Sequence, residues 1–317
     1  MQERLSVEIF VEMGGAFLKQ ISLYGLQTIP EVESGDDLAV TILEACAREG
    51  VELWENDILI ITSKIVSKAE NSIVDLSRVV PSRKARSIAK LTGKDPVEVE
   101  IILGEVERIT AVIPVKKIMK SNPEIAYDIT KDKEAASRAI DKVPAMLLTR
   151  TKNGLLATDA GLDYSNNPEG SASLLPRNPT ASAKKLREDL KRISGKNIAV
   201  VITDTEISYG NLYGSTEVAI GYSGIYPVSR LFGSKDRFGR EKFGGADVTV
   251  DELACASALI EGQTCESIPV VIVRGLDYEK GDLERATPTG TLERGIRWVV
   301  LATIKLWFAR LLEPFVQ

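Results

Sequence analysis

Apolar residues along this chain gather into short continuous runs and into stretches with helical spacing. Two runs, 58–61 (ILII) and 198–202 (IAVVI), contain no polar residue at all. Such a run predicts a strand covered on both faces, because a half-exposed strand would alternate apolar and polar side chains. Shorter apolar segments predict further strands at 5–11, 145–149 and 268–273. We therefore expect several strands, two of them deeply buried.

Helices are predicted between residues that start and stop them. The predicted starts are the capping-box pairs Ser34/Asp37 and Thr249/Glu252, the cap-proline pairs Asp95-Pro96 and Asn178-Pro179, and Pro81-Ser82. The predicted ends are Gly50, Gly93, Gly195 and Gly262. Helical spacing places three apolar sets toward the core: Leu38, Ile42, Leu43 and Cys46; Ala183, Leu186, Leu190 and Ile193; and Leu253, Ala256 and Leu259.

Polar residues follow the predicted strand at 198–202 directly. Thr203, Asp204 and Thr205 supply hydroxyl and carboxylate oxygens where the strand is expected to end. Side chains at a strand's carboxyl end converge on a crevice, so these three are well placed to hold a cation or a phosphate. Asp and Thr also cap turns after strands, and the pattern alone leaves both interpretations open.

Two further strands end in polar groups. After the strand at 57–62, two Ser-Lys pairs at 63–64 and 67–68 could direct two ammonium groups at a phosphate chain, or could form a solvated basic turn. After a hairpin turn predicted at Asn153-Gly154, the segment 160–167 offers a carboxylate, hydroxyls and amides that could contact a ligand. Turn chemistry alone would also select such residues, so this pattern stays ambiguous.

Two segments show little regular pattern. The segment 112–144 is charged and irregular, with a surface helix predicted near 134–140. The loop 233–245 is rich in glycine and charge, and its Arg237 and Arg240 could face an anion or lie on an exposed hairpin. Walker A and GxGxxG sequences are absent from the chain.

Composition narrows the class of partner. A hydrophobic content of 44% and a charged content of 27% are ordinary for a globular protein. The length of 317 residues predicts two domains rather than one. A formal net charge of −5 gives no global electrostatic reason to bind nucleic acid, so we expect a small-molecule partner.

The chain contains no histidine. That excludes a Ser-His-Asp triad, a Cys-His pair and the His-containing zinc sites of hydrolases. A metal ion would have to bind to carboxylate, amide, hydroxyl and backbone oxygens, which favours Mg²⁺ or Mn²⁺. Cys46, Cys255 and Cys265 form no CxxC pair, and we predict free thiols, each buried as a small apolar side chain in a reducing compartment.

The two ends of the chain bear on location. The first 15 residues carry charges and lack the apolar core of a signal peptide, which predicts a cytoplasmic protein. The segment 295–317 is apolar, but Arg297, Lys305 and Arg310 interrupt it, so it is too short and too charged to span a membrane. We expect a C-terminal helix that packs on its own domain or on a second subunit, with docking at a membrane surface as the alternative.

Several separated motifs lie in a fixed order along the chain. They are GLQTIPEVESGDDLA, DILIITSKIVSKAE, PSRKARSIAKLTGKDP, DAGLDYSNNPEG, LLPRNPTASAKKLRE, VVITDT, AIGYSG, KDRFGRE and IPVVIVRG. Together they resemble the coenzyme F420-0:γ-glutamyl ligase family over most of 25–274, apart from the segment before Pro144. An ordered set of motifs is more specific than any single motif. The resemblance therefore favours a ligand-binding role over a turn for the polar residues at 203–205, 63–68 and 160–167.

The resemblance implies an α+β fold of two mixed α/β domains in an intertwined homodimer. It divides the chain into an N-terminal extension at 1–24, a ligase-like region at 25–275 with two subdomains and an insertion at about 112–144, and a C-terminal apolar helix at 276–317.

The resemblance also implies site residues. The metal positions fall on Asp163, Asp204, Thr205 and Gln263, and the catalytic ones on Lys68, Asp163 and Asp204. The nucleotide-contacting positions fall on Leu26, Gln27, Thr28, Ile29, Ser63, Lys64, Lys68, Asn166, Glu261, Gly262, Gln263, Thr264, Cys265, Glu266, Ser267 and Ile268.

Family members are similar in joining L-glutamate to a carboxylate acceptor with GTP and a divalent metal, Mg²⁺ or Mn²⁺, with K⁺ as a further cation. The implied acceptor is F420-0. Its carboxylate would first take the γ-phosphate of GTP to form an acyl phosphate, which the glutamate amine then attacks. Such chemistry depends on positioning and charge rather than on a protein nucleophile, so a chain without histidine is suited to it.

One stretch departs from the family. Family members typically follow the Asp-Thr pair with glycine and two arginines around an aromatic residue, whereas this chain has EISYGNLY at 206–213 and no arginine. Arg237 or Arg240 could substitute, or the acceptor could be a folate or another pterin with a glutamyl tail. A non-catalytic GTP-binding paralogue and a metal-dependent phosphohydrolase are alternatives from other classes.

Overall fold

A computed structural model describes residues 6–12, 18–207, 214–282 and residue 304 of the chain. The strands in chain order are β1 (Ser6–Glu12), β2 (Leu18–Leu26), β3 (Ile58–Thr62), β4 (Ile73–Asp75), β5 (Val106–Ile113), β6 (Met146–Thr151), β7 (Leu156–Thr158), β8 (Ser171–Ser173), β9 (Ala199–Ile207), β10 (Ser215–Ser223) and β11 (Val270–Arg274). The helices are α1 (Leu38–Glu49), α2 (Ser63–Ala69), α3 (Arg83–Thr92), α4 (Pro96–Glu105), α5 (Val115–Ser121), α6 (Pro123–Asp128), α7 (Lys133–Lys142), α8 (Pro179–Ser194) and α9 (Thr249–Glu261).

The main sheet has six strands in the order β1-β2-β11-β3-β9-β10. Neighbouring strands are antiparallel except β3 and β9, which run parallel with Ile58 opposite Ala199 and Thr62 opposite Thr203. A parallel pair needs a long crossover, and here the chain between Thr62 and Ala199 supplies it. The two strands predicted from continuous apolar runs are therefore adjacent at the centre of the sheet.

Helices cover both faces of this sheet. On one face α1 and α8 pack against alternate strand residues such as Leu59, Ile61, Val200 and Ile202. On the other face α9 packs against the residues between them, among them Ile60. Residues 58–61 and 198–202 are all buried, which explains why these two strands carry unbroken apolar runs.

Several predicted helix boundaries are confirmed. Ser82, Asp95 and Asn178 cap α3, α4 and α8, and each accepts a hydrogen bond from a backbone N–H in the first turn. Gly195 follows α8 with φ of 72°, a left-handed conformation that a residue with a side chain adopts only at a cost. Local chemistry alone was sufficient to predict these boundaries.

The two capping-box predictions are wrong in detail. Asp37 itself, not Ser34, is the residue that caps α1, and its carboxylate accepts from Ala39 N and Val40 N. Helix α9 already begins at Thr249, and no side chain caps it. The spacing of the residues predicted approximately where each helix starts. It did not identify the cap, because the cap is the residue whose backbone is still non-helical.

The buried faces of two helices also differ from the prediction. Leu259 is 78% exposed and Ile193 is 44% exposed. Helix α9 turns Leu253 toward the sheet, as predicted, but with it Val250 and Ile260 rather than Leu259. Because α9 is apolar over much of its surface, helical spacing alone did not identify the side that the sheet would cover.

A smaller part of the structure lies between β3 and β9 along the chain. It contains the antiparallel sheet β5-β6-β7, the helix pair α3 and α4, and the two-stranded sheet β4-β8. Separate apolar clusters lie around Ile102 and Leu147, and between α3 and α4 around Val99. The structure is thus mixed α and β as predicted, while the number of domains and the dimer stay predictions.

The segment 112–144, predicted to be mostly irregular, holds three short helices, α5 to α7. Helix α7 confirms the predicted surface helix near 134–140, and none of its residues is buried. Asp132 caps it by accepting from Glu134 N and Ala135 N. Short, charged helices carry little apolar periodicity, which is why two of the three gave no recognisable pattern.

The three cysteines are free, as predicted, but only Cys46 is buried. Cys255 and Cys265 are exposed, which contradicts the expectation that each would be a buried apolar side chain. Among the helices of the described residues, none combines the length and the apolar character needed to cross a bilayer. Apart from Ile304, the predicted C-terminal helix at 295–317 lies outside the described residues.

One buried ion pair joins the residue that precedes β3 to the last residue of β11. Asp57 is 2% exposed and accepts from Arg274 Nε at 2.9 Å and from Arg274 Nη2 at 2.7 Å. The guanidinium also stacks 3.7 Å from the centre of the Trp54 ring. Arg274 therefore has a planar, two-point match to a carboxylate, the geometry that makes such pairs strong.

Asp57→Ala should lower the free energy of unfolding by about 3–5 kcal/mol, because removing one partner leaves a buried charge unpaired. Urea unfolding followed by circular dichroism measures this difference. Glu52→Gln, on an exposed side chain nearby, is the matched control and should change stability by less than about 0.5 kcal/mol. Equal stability of wild type and Asp57→Ala would show that the pair contributes nothing.

Candidate active site

A cavity of about 640 Å³ opens beside the end of β3, where α2, β9 and the loop after α9 meet the segment 158–166. This volume is in the range typical of small-molecule sites. Most of the predicted site residues line it: Ile29, Ser63, Lys64, Lys68, Asp163, Asn166, Asp204, Thr205, Glu261, Gly262, Gln263, Thr264, Cys265, Glu266, Ser267 and Ile268. The structure brings together positions that are up to 239 residues apart in the chain.

Three predicted nucleotide-contacting residues do not line this cavity. Leu26 is fully buried in the main core at the end of β2. The backbone N–H groups of Gln27 and Thr28 both donate to the Glu49 carboxylate at 2.7 Å. Their part in nucleotide binding stays a prediction, and in the structure they hold the chain that leads to Ile29 at the cavity wall.

Asp204 lies within β9 rather than beyond its end. The strand continues to Ile207 because β10 pairs with it, and Val218 lies opposite Asp204. The prediction that 203–205 follow the strand, or merely cap a turn, is therefore wrong. In an extended strand successive side chains point to opposite faces, so Asp204 and Thr205 present their oxygens on different sides.

The Asp204 carboxylate is enclosed among other acids. Burial, together with the nearby Glu206, Glu217 and Asp163 carboxylates, raises the pKa of Asp204 to about 8. The hydrogen bond from Ser63 Oγ to Asp204 Oδ1, at 2.7 Å, acts in the opposite direction by stabilising the charged form. A carboxylate so placed has a high affinity for a proton or a cation.

The parallel pairing of β3 and β9 accounts for that hydrogen bond. Thr62 lies opposite Thr203, so the next residue along, Ser63, is adjacent to Asp204. Ser63 is also the first residue of α2, and the helix turns immediately after the strand. Strand register and helix start together determine this contact.

Lys64 bridges α2 to the segment that carries Asp163. Its Nζ lies 2.5 Å from Asp163 Oδ2 and donates to Ser165 O at 2.8 Å and to Ser165 Oγ at 2.6 Å. Asp163 in turn accepts from Ser165 N at 2.7 Å, which closes a tight turn. Lys64 therefore holds a predicted metal-binding carboxylate across the cavity.

Lys68 lies one helical turn further along α2 and is only 7% exposed. Its Nζ donates to the Glu31 carboxylate and, at 2.9 Å, to Asn166 O. The interpretation of 63–70 as a solvated basic turn is therefore wrong, because the segment is a helix whose second lysine is buried. Glu31 was not predicted, since an exposed glutamate 37 residues away gives no local signal of this contact.

A second polar group lies on the other face of β9. Thr205 and Glu217 are directly opposite each other on β9 and β10, and the Thr205 hydroxyl donates to Glu217 Oε1. Gln263 Nε2 donates to the same Oε1 at 3.1 Å. Gln263 Oε1 lies 3.4 Å from Thr205 Oγ1. The four predicted metal ligands thus divide into Asp163 and Asp204 on one side of the strand, and Thr205 and Gln263 on the other.

Glu261 ends α9 at the wall of the same cavity and is 6% exposed. Burial raises its pKa to about 7, and Glu217 adds to the rise. Its Oε1 accepts no hydrogen bond from any residue that the structure describes, and neither does Thr203 Oγ1 have a partner there. Buried polar atoms normally have partners, so these two oxygens at the cavity wall are available to contact a ligand.

The donor set fits a hard divalent cation. Every predicted ligand is an oxygen donor, as Mg²⁺ and Mn²⁺ prefer, and the surrounding carboxylates leave local negative charge to be offset. Within the described ranges no three acidic or thiol side chains converge tightly enough for a purely protein-bound metal. Mg²⁺ commonly takes one or two carboxylates and completes its shell with water and phosphate oxygens.

The stretch that departs from the family is described only at its start. Both oxygens of Glu206 accept from Thr158 N at 3.0 Å, and Glu206 Oε2 accepts from Thr158 Oγ1 at 2.7 Å. These bonds tie β9 to β7. Residues 208–213 lie outside the described part of the chain, and neither Arg237 nor Arg240 lines the cavity.

Comparison with known proteins gives one consistent result. A sequence model of the family described as F420-0:Gamma-glutamyl ligase matches residues 27–275. The chain is 36% identical over 260 residues to the coenzyme F420:L-glutamate ligase of Methanothermobacter thermautotrophicus, covering 81% of this chain and 90% of that protein.

Two other archaeal relatives have the same name. The coenzyme F420:L-glutamate ligase of Methanopyrus kandleri is 36% identical over 257 residues, with 80% of this chain and 86% of the relative covered. That of Methanocaldococcus jannaschii is 31% identical over 266 residues, with 83% and 91% covered. The aligned portions cover at least 80% of this chain and at least 86% of each relative, which excludes a match confined to one motif.

Asp204→Asn should make the metal-free protein less sensitive to pH. Since the pKa of Asp204 is about 8 when folded and 3.8 in a model compound, the folded state binds a proton between these values that the unfolded state lacks. The stabilising contribution of Asp204 is thus complete at low pH and is lost as the pH rises through the folded value.

We therefore expect the variant to gain stability over wild type by more than about 1 kcal/mol between pH 5 and pH 8. Urea unfolding in EDTA at both values measures the difference. Asp128→Asn, on an exposed aspartate, should follow wild type at both pH values. A stability difference between Asp204→Asn and wild type that is the same at pH 5 and pH 8 would refute the raised pKa.

Proposed function

The chain belongs to the F420-0:γ-glutamyl ligase family, and we propose that it is a GTP-dependent ligase that joins L-glutamate to the carboxylate of F420-0. The single observation that carries this proposal is that the four metal positions implied by the family, and all but three of the nucleotide positions, line one cavity. The acid, amide and lysine groups of that cavity come from distant parts of the chain. Such convergence is expected of a binding site.

The reaction proceeds in two transfers. An acceptor carboxylate oxygen attacks the γ-phosphorus of GTP, the bond to GDP breaks, and an acyl phosphate forms. The glutamate amine then attacks the acyl carbon, phosphate leaves, and the amine gives up a proton as the amide forms. Both steps are accelerated by holding the reactants together and by offsetting phosphate charge.

The two lysines of α2 bind the phosphate groups. Lys64 and Lys68 lie one turn apart on the same helix and both reach into the cavity. Each is paired with a carboxylate, Asp163 or Glu31, and with oxygens of the 165–166 turn. A phosphate chain offers more negative charge than these partners, so its arrival would redirect one or both ammonium groups.

Asp163, Asp204, Thr205 and Gln263 are the residues that would hold divalent metal, which when bound offsets negative charge on the phosphates. They form two groups on either side of β9, so metal could bind at two places in the cavity. Ser63 orients Asp204 through its hydrogen bond, and Lys64 orients Asp163. A requirement for K⁺ and assembly as a homodimer belong to the same proposal.

A second candidate is ligation of glutamate to a folate or another pterin with a glutamyl tail. It is favoured by Glu206, whose carboxylate lies close enough to Asp204 to raise the pKa of that residue. Negative charge at this position disfavours an acceptor with a phosphodiester nearby, because like charges in a partly buried site repel strongly.

Incubating the purified full chain with GTP, Mn²⁺, L-glutamate and one acceptor at a time should yield an acceptor extended by one or more glutamates. Mass spectrometry of the products detects the extension, and phosphate release should depend on glutamate and acceptor together. Extension of F420-0 supports the first candidate, and extension of a pterin alone supports the second. Phosphate release without glutamate would mean a phosphohydrolase, and GTP binding without release would mean a non-catalytic paralogue.

Asp204→Asn should reduce metal-dependent turnover to background, since it removes a predicted ligand while keeping the side-chain shape. Initial rates of phosphate release, together with a circular dichroism spectrum that matches wild type, check this outcome. Asp128→Asn should retain full activity. Near-normal turnover of Asp204→Asn would remove Asp204 from the proposed machinery.

A further inference from the structure

Glu217 has no role in the proposed reaction, yet it is 5% exposed at the wall of the cavity. It lies on β10 directly opposite Thr205 on β9. Keeping a carboxylate this buried is costly unless its oxygens are engaged.

Both observed side-chain contacts of Glu217 are made to predicted metal ligands. One carboxylate oxygen, Oε1, accepts from the Thr205 hydroxyl and from Gln263 Nε2, the latter at 3.1 Å. These two donors come from β9 and from the loop after α9. Glu217 is thus the group through which a strand residue and a loop residue are held together.

Glu217 Oε1 determines which atoms its neighbours turn toward it, because it is the acceptor in both contacts and each neighbour must present a donor. Gln263 must therefore present its NH₂ group to Glu217, which leaves its carbonyl oxygen directed elsewhere, and Thr205 must direct its hydroxyl proton to Glu217, which leaves the oxygen lone pairs available. The two oxygens lie close together, with Thr205 Oγ1 3.4 Å from Gln263 Oε1, at the outer limit of a hydrogen bond that the hydroxyl could donate to the amide oxygen.

That separation suits two ligands of one ion. Mg²⁺ binds oxygens at 2.0–2.1 Å in octahedral geometry, which puts neighbouring ligand oxygens about 3 Å apart. A shift of a few tenths of an ångström would bring the two oxygens to this distance. The same oxygens would be too far apart, or facing the wrong way, if the amide of Gln263 were flipped.

We propose that Glu217 is a positioning residue that orients the Thr205 hydroxyl and the Gln263 amide so that both oxygens face a single divalent cation. The inference rests on the proposed function, which supplies the cation. Outer hydrogen-bond partners of metal ligands commonly orient them and change metal affinity by about 10–100-fold.

The backbone that carries Glu217 is itself held in place. Cys255 Sγ on α9 donates to Glu217 O at 3.4 Å, and the Asp251 carboxylate on α9 accepts from Ala219 N at 2.8 Å. Strand β10 also pairs with β9 along its length. A rigid support of this kind is what a positioning residue requires, because its effect depends on a fixed place for the carboxylate.

Glu217→Gln should weaken Mn²⁺ binding to the full chain about 10–100-fold, because an amide at 217 can donate as well as accept and no longer selects one orientation of Gln263. Titration of Mn²⁺ followed by electron paramagnetic resonance measures free and bound ion without any turnover. Glu124→Gln, the same substitution on an exposed glutamate that does not line the cavity, is the control and should bind Mn²⁺ as wild type does.

The thermal midpoint of the metal-free protein separates misfolding from loss of binding. If Glu217→Gln does not fold, Glu217→Asp takes its place, since its shorter side chain cannot reach both partners and predicts the same loss. Wild-type Mn²⁺ affinity in a folded variant would overturn the inference.

A double-mutant cycle tests how Glu217 acts. In a Thr205→Val, Gln263→Leu background the two oriented oxygens are gone, so adding Glu217→Gln should cause no further loss of Mn²⁺ affinity. An undiminished further loss would show that Glu217 acts by its own charge, as a ligand or through space, and would overturn positioning.

These outcomes are independent of ligation. If wild type binds Mn²⁺ but ligates no glutamate, the proposed function is wrong. The inference about Glu217 is then still tested by the Mn²⁺ affinity of its variants. If wild type binds no Mn²⁺, the metal part of both is wrong.

Discussion

The parallel pairing of β3 with β9 is the constraint on which the site depends. It is the one parallel pair among the described strands of the main sheet, and its register sets Thr62 opposite Thr203. From this register Ser63 falls beside Asp204, and α2 follows at once with its two lysines on the cavity side. The unbroken apolar runs that bury these strands therefore also fix the polar groups at their ends, because a one-residue slip would turn every side chain to the wrong face.

The cavity contains buried acidic groups whose burial is unfavourable for the stability of the fold. Asp204 and Glu261 are acids whose pKa values burial raises to about 8 and about 7, and a buried oxygen of Glu261 has no partner in the described structure. The lysines offset other acids, Lys64 at Asp163 and Lys68 at Glu31. A protein optimised only for folding would replace such groups, so their presence is more readily explained by ligands that complete the charge balance.

Much of the fold followed from local sequence. Continuous apolar runs predicted the two central strands, and cap-proline pairs and terminal glycines predicted helices α3, α4 and α8, because these signals act through nearby backbone. The exposed face of α9 was not predictable in this way: Leu259 has the spacing of a core residue but is 78% exposed, since only the assembled sheet decides which side is covered.

Some residues of the site could be predicted from the sequence, and others could not. Its lysines and Asp204 were visible as polar residues beside buried strands, and the ordered resemblance to a family placed Asp163 and Gln263 with them. Glu31 and Glu217 gave no signal, because each is an ordinary glutamate whose partner lies 37 or 12 residues away in sequence. Long-range contacts that orient other side chains leave no periodicity and no motif, so only the folded structure reveals them.

The extended conformation of 203–207 also determines what a change at Glu206 affects. If these residues formed a turn, as the sequence allowed, Asp204, Thr205 and Glu206 could all face one ligand. In a strand paired with β10 they alternate, so Glu206 shares a side with Asp204, and Thr205 faces Glu217. The Glu206 carboxylate consequently raises the pKa of Asp204. Through its hydrogen bond from Thr158 it also connects β9 to β7 of the smaller sheet. The group formed by Thr205, Glu217 and Gln263 lies on the opposite side of the same strand, so one strand carries two separate sets of polar contacts.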